Sequence, residues 1–424
     1  MTSDIPDGVE ITPALNGSFV YSKASYPVRY GKYGEIKTKD YIWQFNLKGE
    51  VKFLKGRKDT WPDPTEWLKR TAANDWIYYS TGGYSGTLEY SGEYYIPCAR
   101  YRTNSIIVND PFGNREVRNA VDSYRKLYDF LSGLDSDAIE PDEALFIKKI
   151  LENTPESLEK KRSVLKSISG DRITVLPPDS RHADYDVIPV IIADGCLYKC
   201  GFCSVRSSKK FGLRTESDIR EQIRRLRQFY GPDIVNYNSL FLGQHDALNA
   251  GIDLIEKTAI FAFKELDTGN SVMEGANLFL FGSVDSLLDA GYDFFKRLSN
   301  LSCMIYINIG LESADEETLD YISKNISPDK VERAFEKILD INREYTNIEL
   351  TSNFLYSDRL PENHYPSIIK LIDKYTVKSG NKGTVYFSPM FNMDETEARY
   401  IKRRFFALKR EIRLPAYLYL IQRL

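Results

Sequence analysis

The chain has 424 residues, 42% hydrophobic and 28% charged, enough to bury a sizeable core and too apolar for global disorder. A net charge of −3 supplies no overall drive toward nucleic acid or an anionic membrane. Five cysteines, three of them clustered, exclude a secreted disulfide framework, and no apolar run approaches the ~18–20 residues of a membrane span. Met1 to Val9 is polar and acidic, which does not read as a signal peptide, so a reducing cytoplasm is the expected compartment.

Residues 1–113 read as a β-rich accessory domain. Phe19 to Ser22, Tyr41 to Leu47 and Val51 to Leu54 are short aromatic or β-branched runs, with turns at Lys48-Gly49 and Gly82-Gly83. A helix is expected over Pro64 to Ala73. Tyr78 to Tyr95 returns to a tyrosine-rich, hairpin-like pattern. Tyrosines are routine in half-buried antiparallel sheets and can also form a binding wall. Residues 114–178 turn helical and form a connector. Val117, Val121, Tyr124, Leu127, Tyr128 and Leu131 recur at helical spacing, and Pro141 to Ile150 and Ser157 to Ile168 continue it. The run Lys160-Lys161-Arg162 reads as a solvated helix face.

From Asp186 the pattern becomes strand, loop, helix, repeated. The first strand, Val187 to Ala193, leads into Asp194-Gly-Cys-Leu-Tyr-Lys-Cys-Gly-Phe-Cys203. Cys196, Cys200 and Cys203 follow a C-x3-C-x2-C spacing. Thiolates crowded on a short loop are poor packing and good metal ligands. Three of them can hold three irons of a cubane cluster, leaving the fourth iron open. Zinc is the competing reading, but structural zinc takes four ligands, and Cys98 and Cys303 stand alone in a chain with only three histidines. With Phe202 before the last cysteine, the loop resembles that of the radical S-adenosylmethionine (radical SAM) superfamily. The resemblance implies a 4Fe–4S cluster on Cys196, Cys200 and Cys203, with S-adenosylmethionine (SAM) chelating the open iron. It implies reductive cleavage of SAM to a 5′-deoxyadenosyl radical that abstracts a substrate hydrogen. It also implies an electron donor such as flavodoxin or ferredoxin.

Further strands are expected at Ser239 to Leu242, Leu278 to Phe281, Met304 to Ile309, Ile348 to Phe354 and Thr384 to Phe387, with helices between them. Thr215-Glu-Ser-Asp218 has the form of a capping box at the start of the first of these helices. Six such units over residues 179–395 resemble the partial (βα)6 barrel of radical SAM enzymes. In parallel architectures chemistry sits at the C-terminal strand ends. That rule singles out Gly243 and Gln244 after the second strand, Ser283 and Asp285 after the third, Glu312 in Gly310-Leu-Glu-Ser313 after the fourth, and Asn353 in the fifth. The resemblance implies that Gly243, Gln244 and Glu312 contact SAM, and the strand-end positions of Ser283 and Asn353 offer them as further SAM contacts. Ser283 and Asp285 can equally cap the next helix, and His245 can face solvent. Cys303 lies at the wrong strand end and reads as core; Cys98 reads as a structural thiol or a hydrogen-atom donor. Residues 396–424 form a C-terminal extension: a basic amphipathic helix over Glu397 to Ile412, then an apolar tail. The helix either packs across the barrel or contacts RNA phosphate or a membrane surface.

The expected function is therefore a radical SAM enzyme acting on an unidentified metabolite, lipid or peptide. A tRNA-modifying radical SAM enzyme and a zinc-stabilised binding module are the alternatives.

Overall fold

The structure, a computed structural model, describes residues 8–22, 29–57, 61, 65–80, 86–98, 100–107, 110–170, 175–198, 200–203, 205, 209–376 and 382–424. Two seven-stranded sheets dominate it. The first is an antiparallel meander in sequence order: β1 (Glu10–Asn16), β2 (Lys32–Lys37), β3 (Tyr41–Phe45), β4 (Val51–Gly56), β5 (Trp67–Arg70), β6 (Trp76–Tyr79) and β7 (Tyr95–Pro97). Successive side chains of a strand point to opposite faces. Leu54, Leu68 and Tyr78 accordingly share one core with Trp43, Phe45 and the helices α2 (Arg115–Asp122), α3 (Tyr124–Ser132), α4 (Pro141–Leu151) and α5 (Pro155–Ser169). Their neighbours Phe53, Trp67, Ile77 and Tyr79 gather on the other face. A short helix, α1 (Thr87–Ser91), stands between β6 and β7. The Gly82-Gly83 turn lies outside the described residues.

The helix expected over 64–73 is instead β5. Trp67 and Leu68 serve the two opposite faces of the sheet, which an extended chain allows and a helix turn does not. Lys69 and Arg70 are both buried on partners distant in sequence. Lys69 Nζ reaches Asp186 Oδ2 at 3.1 Å and the Asp184 carbonyl at 2.6 Å; Lys52 Nζ joins Asp186 at 3.3 Å. Burial pushes the Asp186 carboxyl up, but the two ammonium groups outweigh it and hold the carboxyl below its usual range. Asp186 immediately precedes the second sheet, so this buried cluster ties the two sheets together.

The second sheet is parallel throughout. Its order is β16 (Ala416–Leu418), β15 (Val385–Pro389), β14 (Ile348–Tyr356), β13 (Met304–Glu312), β12 (Asn277–Gly282), β11 (Ser239–Gly243) and β8 (Ile188–Ile191). Between strands run α6 (Glu216–Tyr230), α7 (Ile252–Glu265), α8 (Val284–Asp289), α9 (Tyr292–Ser299), α10 (Glu316–Tyr321), α11 (Pro328–Glu344), α12 (His364–Thr376) and α13 (Glu395–Glu411). Leu240, Leu280, Ile307 and Leu350 are fully buried, as parallel strands covered on both faces require. There are seven strands where six were expected: the apolar tail adds β16 beside β15, in register Val385 to Ala416.

Thr215 caps α6 as its spacing predicts, its Oγ1 accepting from Asp218 N at 3.1 Å. The return bond differs: the Thr215 hydroxyl donates to the Asp218 carboxylate at 2.7 Å. Thr215→Ala is expected to cost about 1 kcal/mol in denaturant unfolding, and no measurable change would discount this cap.

One face of the parallel sheet is plugged at its lower end by the 3-10 turn Pro178–Ala183. His182 stacks on Tyr306 with ring centres 4.7 Å apart. The buried Asp179 carboxylate accepts from Thr351 at 2.6 Å and from Tyr386 at 2.8 Å. Burial pushes that carboxyl up to about 6. By the two-residue period of strands, Asn308 and Gly310 continue the face of Tyr306, and Asn353 that of Thr351; a register shift separates Gly310 from Glu312. The plug fills the lower part of this face and leaves its C-terminal end open.

The basic helix α13 buries Ala398, Ile401, Phe405 and Leu408. Lys402 lies over the Tyr90 ring at 4.6 Å, and burial brings its amine down to about 8. Lys409 Nζ donates to the Glu89 carbonyl at 2.6 Å. These cations pack on protein. Among the described residues, no helix is long and apolar enough to cross a membrane.

Candidate functional site

The cysteine loop leaves the end of β8 and returns through a two-residue ladder, β9 (Ala193–Asp194) with β10 (Gly212–Leu213). Asp194 anchors it, taking Arg214 Nε and Nη2 at 3.0 Å each. Gly195 has φ +81°, and a Cβ there would lie 2.4 Å from the Lys210 carbonyl, so only glycine allows the strands to close. Beyond it, the Tyr198 hydroxyl donates to Asp285, whose other oxygen takes Lys330 Nζ at 2.8 Å. Gly201 N donates to the Ile322 carbonyl at 3.3 Å. Asp285 is not the cap of α8, which is Ser283; it fastens the cysteine loop to α11.

Cys196, Cys200 and Cys203 line one half-open cavity of about 150 Å³. Burial pushes the Cys196 thiol up, and the Cys200 thiol up to about 12 against the pull of Lys324. Ser283, Glu312 and Asn353 line the same cavity, as their strand-end positions predict. Ser283 also caps α8 in a reciprocal pair with Ser286, so the capping reading of that residue holds. Asn353 Oδ1 accepts from the Ser388 hydroxyl at 3.0 Å. Gly243 and Gln244 are not among the lining residues. A Cβ at Gly243 would lie 2.7 Å from Ile191 Cδ1, so glycine there serves strand packing.

Glu312 is buried, with φ +69°. Lys324 Nζ approaches its Oε1 at 3.5 Å and donates to the Gly310 carbonyl at 2.5 Å. Burial raises the Glu312 carboxyl above its usual range despite that lysine. Among the described residues, its Oε2 has no hydrogen-bond partner, nor have Gln244 Oε1 and Asp246 Oδ2. Asp246 spends its other oxygen on Ser283 N at 2.9 Å and the Ser286 hydroxyl at 2.8 Å, and burial raises its carboxyl too. Buried acceptors without donors are costly, and three of them near the ends of β11 and β13 fit a site made to receive donors or a cation.

Sequence reasoning missed Lys324, Tyr198, Asn308 and Tyr419, and for His245 it offered a solvent-facing position; all five line the cavity. It also missed His364, which holds the Gly310–Ser313 turn from behind. A carbonyl only accepts, so His364 Nε2–H donates to Leu355 O at 2.9 Å. Nδ1 then accepts from the Ser313 hydroxyl at 2.9 Å. Burial brings this imidazole down to about 4. A depressed imidazole contributes stability that is present above the unfolded value of ~6.5 and is lost as pH falls toward 4. Denaturant unfolding of the wild type is expected to lose about 2 kcal/mol through this group between pH 7 and 5. His364→Gln removes that part of the slope; an unchanged slope would show that His364 does not titrate between these limits.

The Radical SAM superfamily model matches residues 190–359, from inside β8 to beyond β14. No curated protein sequence matches the chain. Solved structures similar to it include the radical SAM methyltransferase TsrM from Kitasatospora setae, with cobalamin and a 4Fe–4S cluster bound (13% identity, 52% of this chain and 40% of that one, TM-score 0.35). Others are a radical SAM methyltransferase from Sphaerobacter thermophilus (14% identity, 55% and 65%, TM-score 0.35) and the hydrogenase maturase HydG from Carboxydothermus hydrogenoformans (14% identity, 71% of each chain, TM-score 0.34). The chain spans less than half the length of the first of these. Residues 190–359 are a radical SAM superfamily domain, and its cofactors are a 4Fe–4S cluster and SAM.

Proposed function

We propose that the protein is a radical SAM enzyme in which Cys196, Cys200 and Cys203 hold three irons of the cluster. Glu312, Ser283 and Asn353 receive SAM in the same cavity, with Gln244 and Gly243 supporting the β11 end behind it. The observation that carries this reading is the meeting of three thiols and the unpartnered Glu312 oxygen around one cavity at the C-terminal strand ends. SAM carries a sulfonium and an ammonium group, and a carboxylate with a spare lone pair suits either. When bound, the cluster supplies the electron that cleaves SAM to the radical that abstracts substrate hydrogen. The protein's own part is to position and to exclude water: Tyr198 and Asp285 hold the loop, and Phe281, Phe202 and Tyr419 wall the cavity.

A mononuclear zinc site is disfavoured. Among the described residues, no three His, Cys, Asp or Glu side chains converge on one ion. A cubane gives each thiolate a different iron, so its ligands need not converge. For the tRNA reading, Lys402 and Lys409 make internal contacts, while Arg403, Arg404 and Arg410 stay exposed on α13. A partial barrel in a reducing cytoplasm, fed by flavodoxin or ferredoxin, is the setting this reading implies.

The test is anaerobic iron and sulfide analysis with EPR of the reduced protein, before and after SAM. About four irons per chain and a spectrum that changes with SAM, with 5′-deoxyadenosine formed, are expected. Stoichiometric zinc, or a cluster indifferent to SAM, would sink the reading.

A further inference from the structure

Beside the cysteine cavity lies a larger cleft of about 460 Å³, between the end of β7 and the segment that follows β15. Its position is fixed by the 3-10 turn Arg102–Ile106. Ser105 Oγ donates to the Phe391 carbonyl at 3.1 Å and accepts from Met393 N at 3.0 Å, just past the C-terminal end of β15. Asn104 grips the C-terminal tail twice, donating to Ile421 O at 3.0 Å and accepting from Ile421 N at 2.8 Å. Two residues earlier in that tail, Tyr419 lines the cysteine cavity. Tyr101 lines the cleft and packs against the apolar cluster that contains Tyr419. The two spaces therefore open at the same end of the parallel sheet, with Tyr101 and Tyr419 between them.

The lining has two characters. Ile96, Pro97, Tyr101 and Ile107 make an apolar floor. Arg100 and Arg102 stand exposed at the rim. Neither guanidinium has an ion-pair partner among the described residues. One carboxylate, Asp110, shares the rim, but its Oδ1 accepts from Phe112 N at 2.9 Å. Two guanidinium groups against one engaged carboxylate leave the rim cationic. A concave, mostly apolar space with a few converging polar groups is the form of a small-molecule site, and paired arginines suit a carboxylate or phosphate.

We propose that this cleft binds the substrate, an organic anion whose apolar body lies on the Ile96, Tyr101 and Ile107 floor and whose carboxylate or phosphate head meets Arg100 and Arg102. That the occupant is the substrate rests on the radical SAM reading; the anion site itself does not. Placing the body beside Tyr101 and Tyr419 brings it next to the cavity assigned to the cluster and SAM.

The experiment is calorimetric binding of phenyl phosphate, benzoate and benzyl alcohol to the reconstituted full-length protein. The two anions should bind, benzyl alcohol about tenfold or more weakly, and the anions should weaken as salt rises. The better of the two anions names the head group. Arg100→Gln with Arg102→Gln, both exposed and so tolerated by the fold, should weaken the anions about tenfold or more. Ile107→Trp, which fills the floor, should weaken all three probes. Equal binding of alcohol and anions, unchanged affinity in the double arginine variant, or no binding of either anion at about 10 mM would overturn the proposal. The readout is binding, so it separates from the radical chemistry. Anion binding in protein without iron or SAM cleavage would sink the enzyme reading and keep the anion site. Iron and SAM cleavage with no anion binding would do the reverse.

Discussion

Cys200→Ala is expected to leave a folded protein that has lost its iron and no longer cleaves SAM. The fold should survive because the loop is held by other groups. Asp194 with Arg214, Tyr198 with Asp285, and Gly201 N with the Ile322 carbonyl all remain. Cys200 itself is only partly buried, so the lost thiol removes little packing, on the order of 1 kcal/mol. A cubane held by three thiolates loses one of three protein anchors, and iron should fall from about four per chain to a small fraction. Cys196→Ala and Cys203→Ala should do the same. Cys303→Ser supplies the contrast: that thiol is buried in the core beside β13, so its loss should lower stability and spare the iron. Full iron and SAM cleavage in all three loop variants would end the cluster assignment.

The contrast between those cysteines marks what was legible in the sequence. Cys196, Cys200 and Cys203 signal by local spacing, which survives any fold. The parallel strands were legible because burial on both faces makes them apolar runs, and the C-terminal-end rule then located Ser283, Glu312 and Asn353. Residues whose roles depend on distant partners were not legible. Lys69 and Arg70 lie in a stretch expected as a helix, and nothing local shows that Asp184, Asp186 and Glu50 pair with them. Tyr417 to Ile421 reads as a loose apolar tail until β15 accepts it as a neighbour and brings Tyr419 to the cavity. Lys324 and His364 carry no periodic signal at all. Their positions follow only once α10 and α12 are packed behind the Gly310–Ser313 turn. At Gly243 the strand-end position was legible, and the packing against Ile191 that favours glycine there was not.

Gly310→Ala should weaken SAM binding about 100-fold while leaving the cluster in place. A Cβ at residue 310 would lie 2.6 Å from Glu312 Oε1 and 3.6 Å from Lys324 Nζ. The near atom is the tip of a flexible side chain, so the backbone need not move and the carboxylate must. Displacing it breaks the 3.5 Å approach of Lys324 and re-aims the unpartnered Oε2 assigned to SAM. Stability should fall modestly, by about 1 to 2 kcal/mol, because one methyl is forced into an occupied space. Iron content should not change, since no cysteine contact is involved. Glu312→Gln tests the same carboxylate by chemistry instead of position. It keeps the shape, removes the charge and leaves the buried Lys324 ammonium without its counterion. If Gly310→Ala acts only by moving that carboxylate, then adding it to Glu312→Gln should cost far less than it costs alone, a coupling that distant sites do not show. SAM titrations of the four proteins in the cycle measure this directly. Wild-type affinity in Gly310→Ala, or fully additive losses, would mean that Glu312 supports the strand end and does not meet SAM.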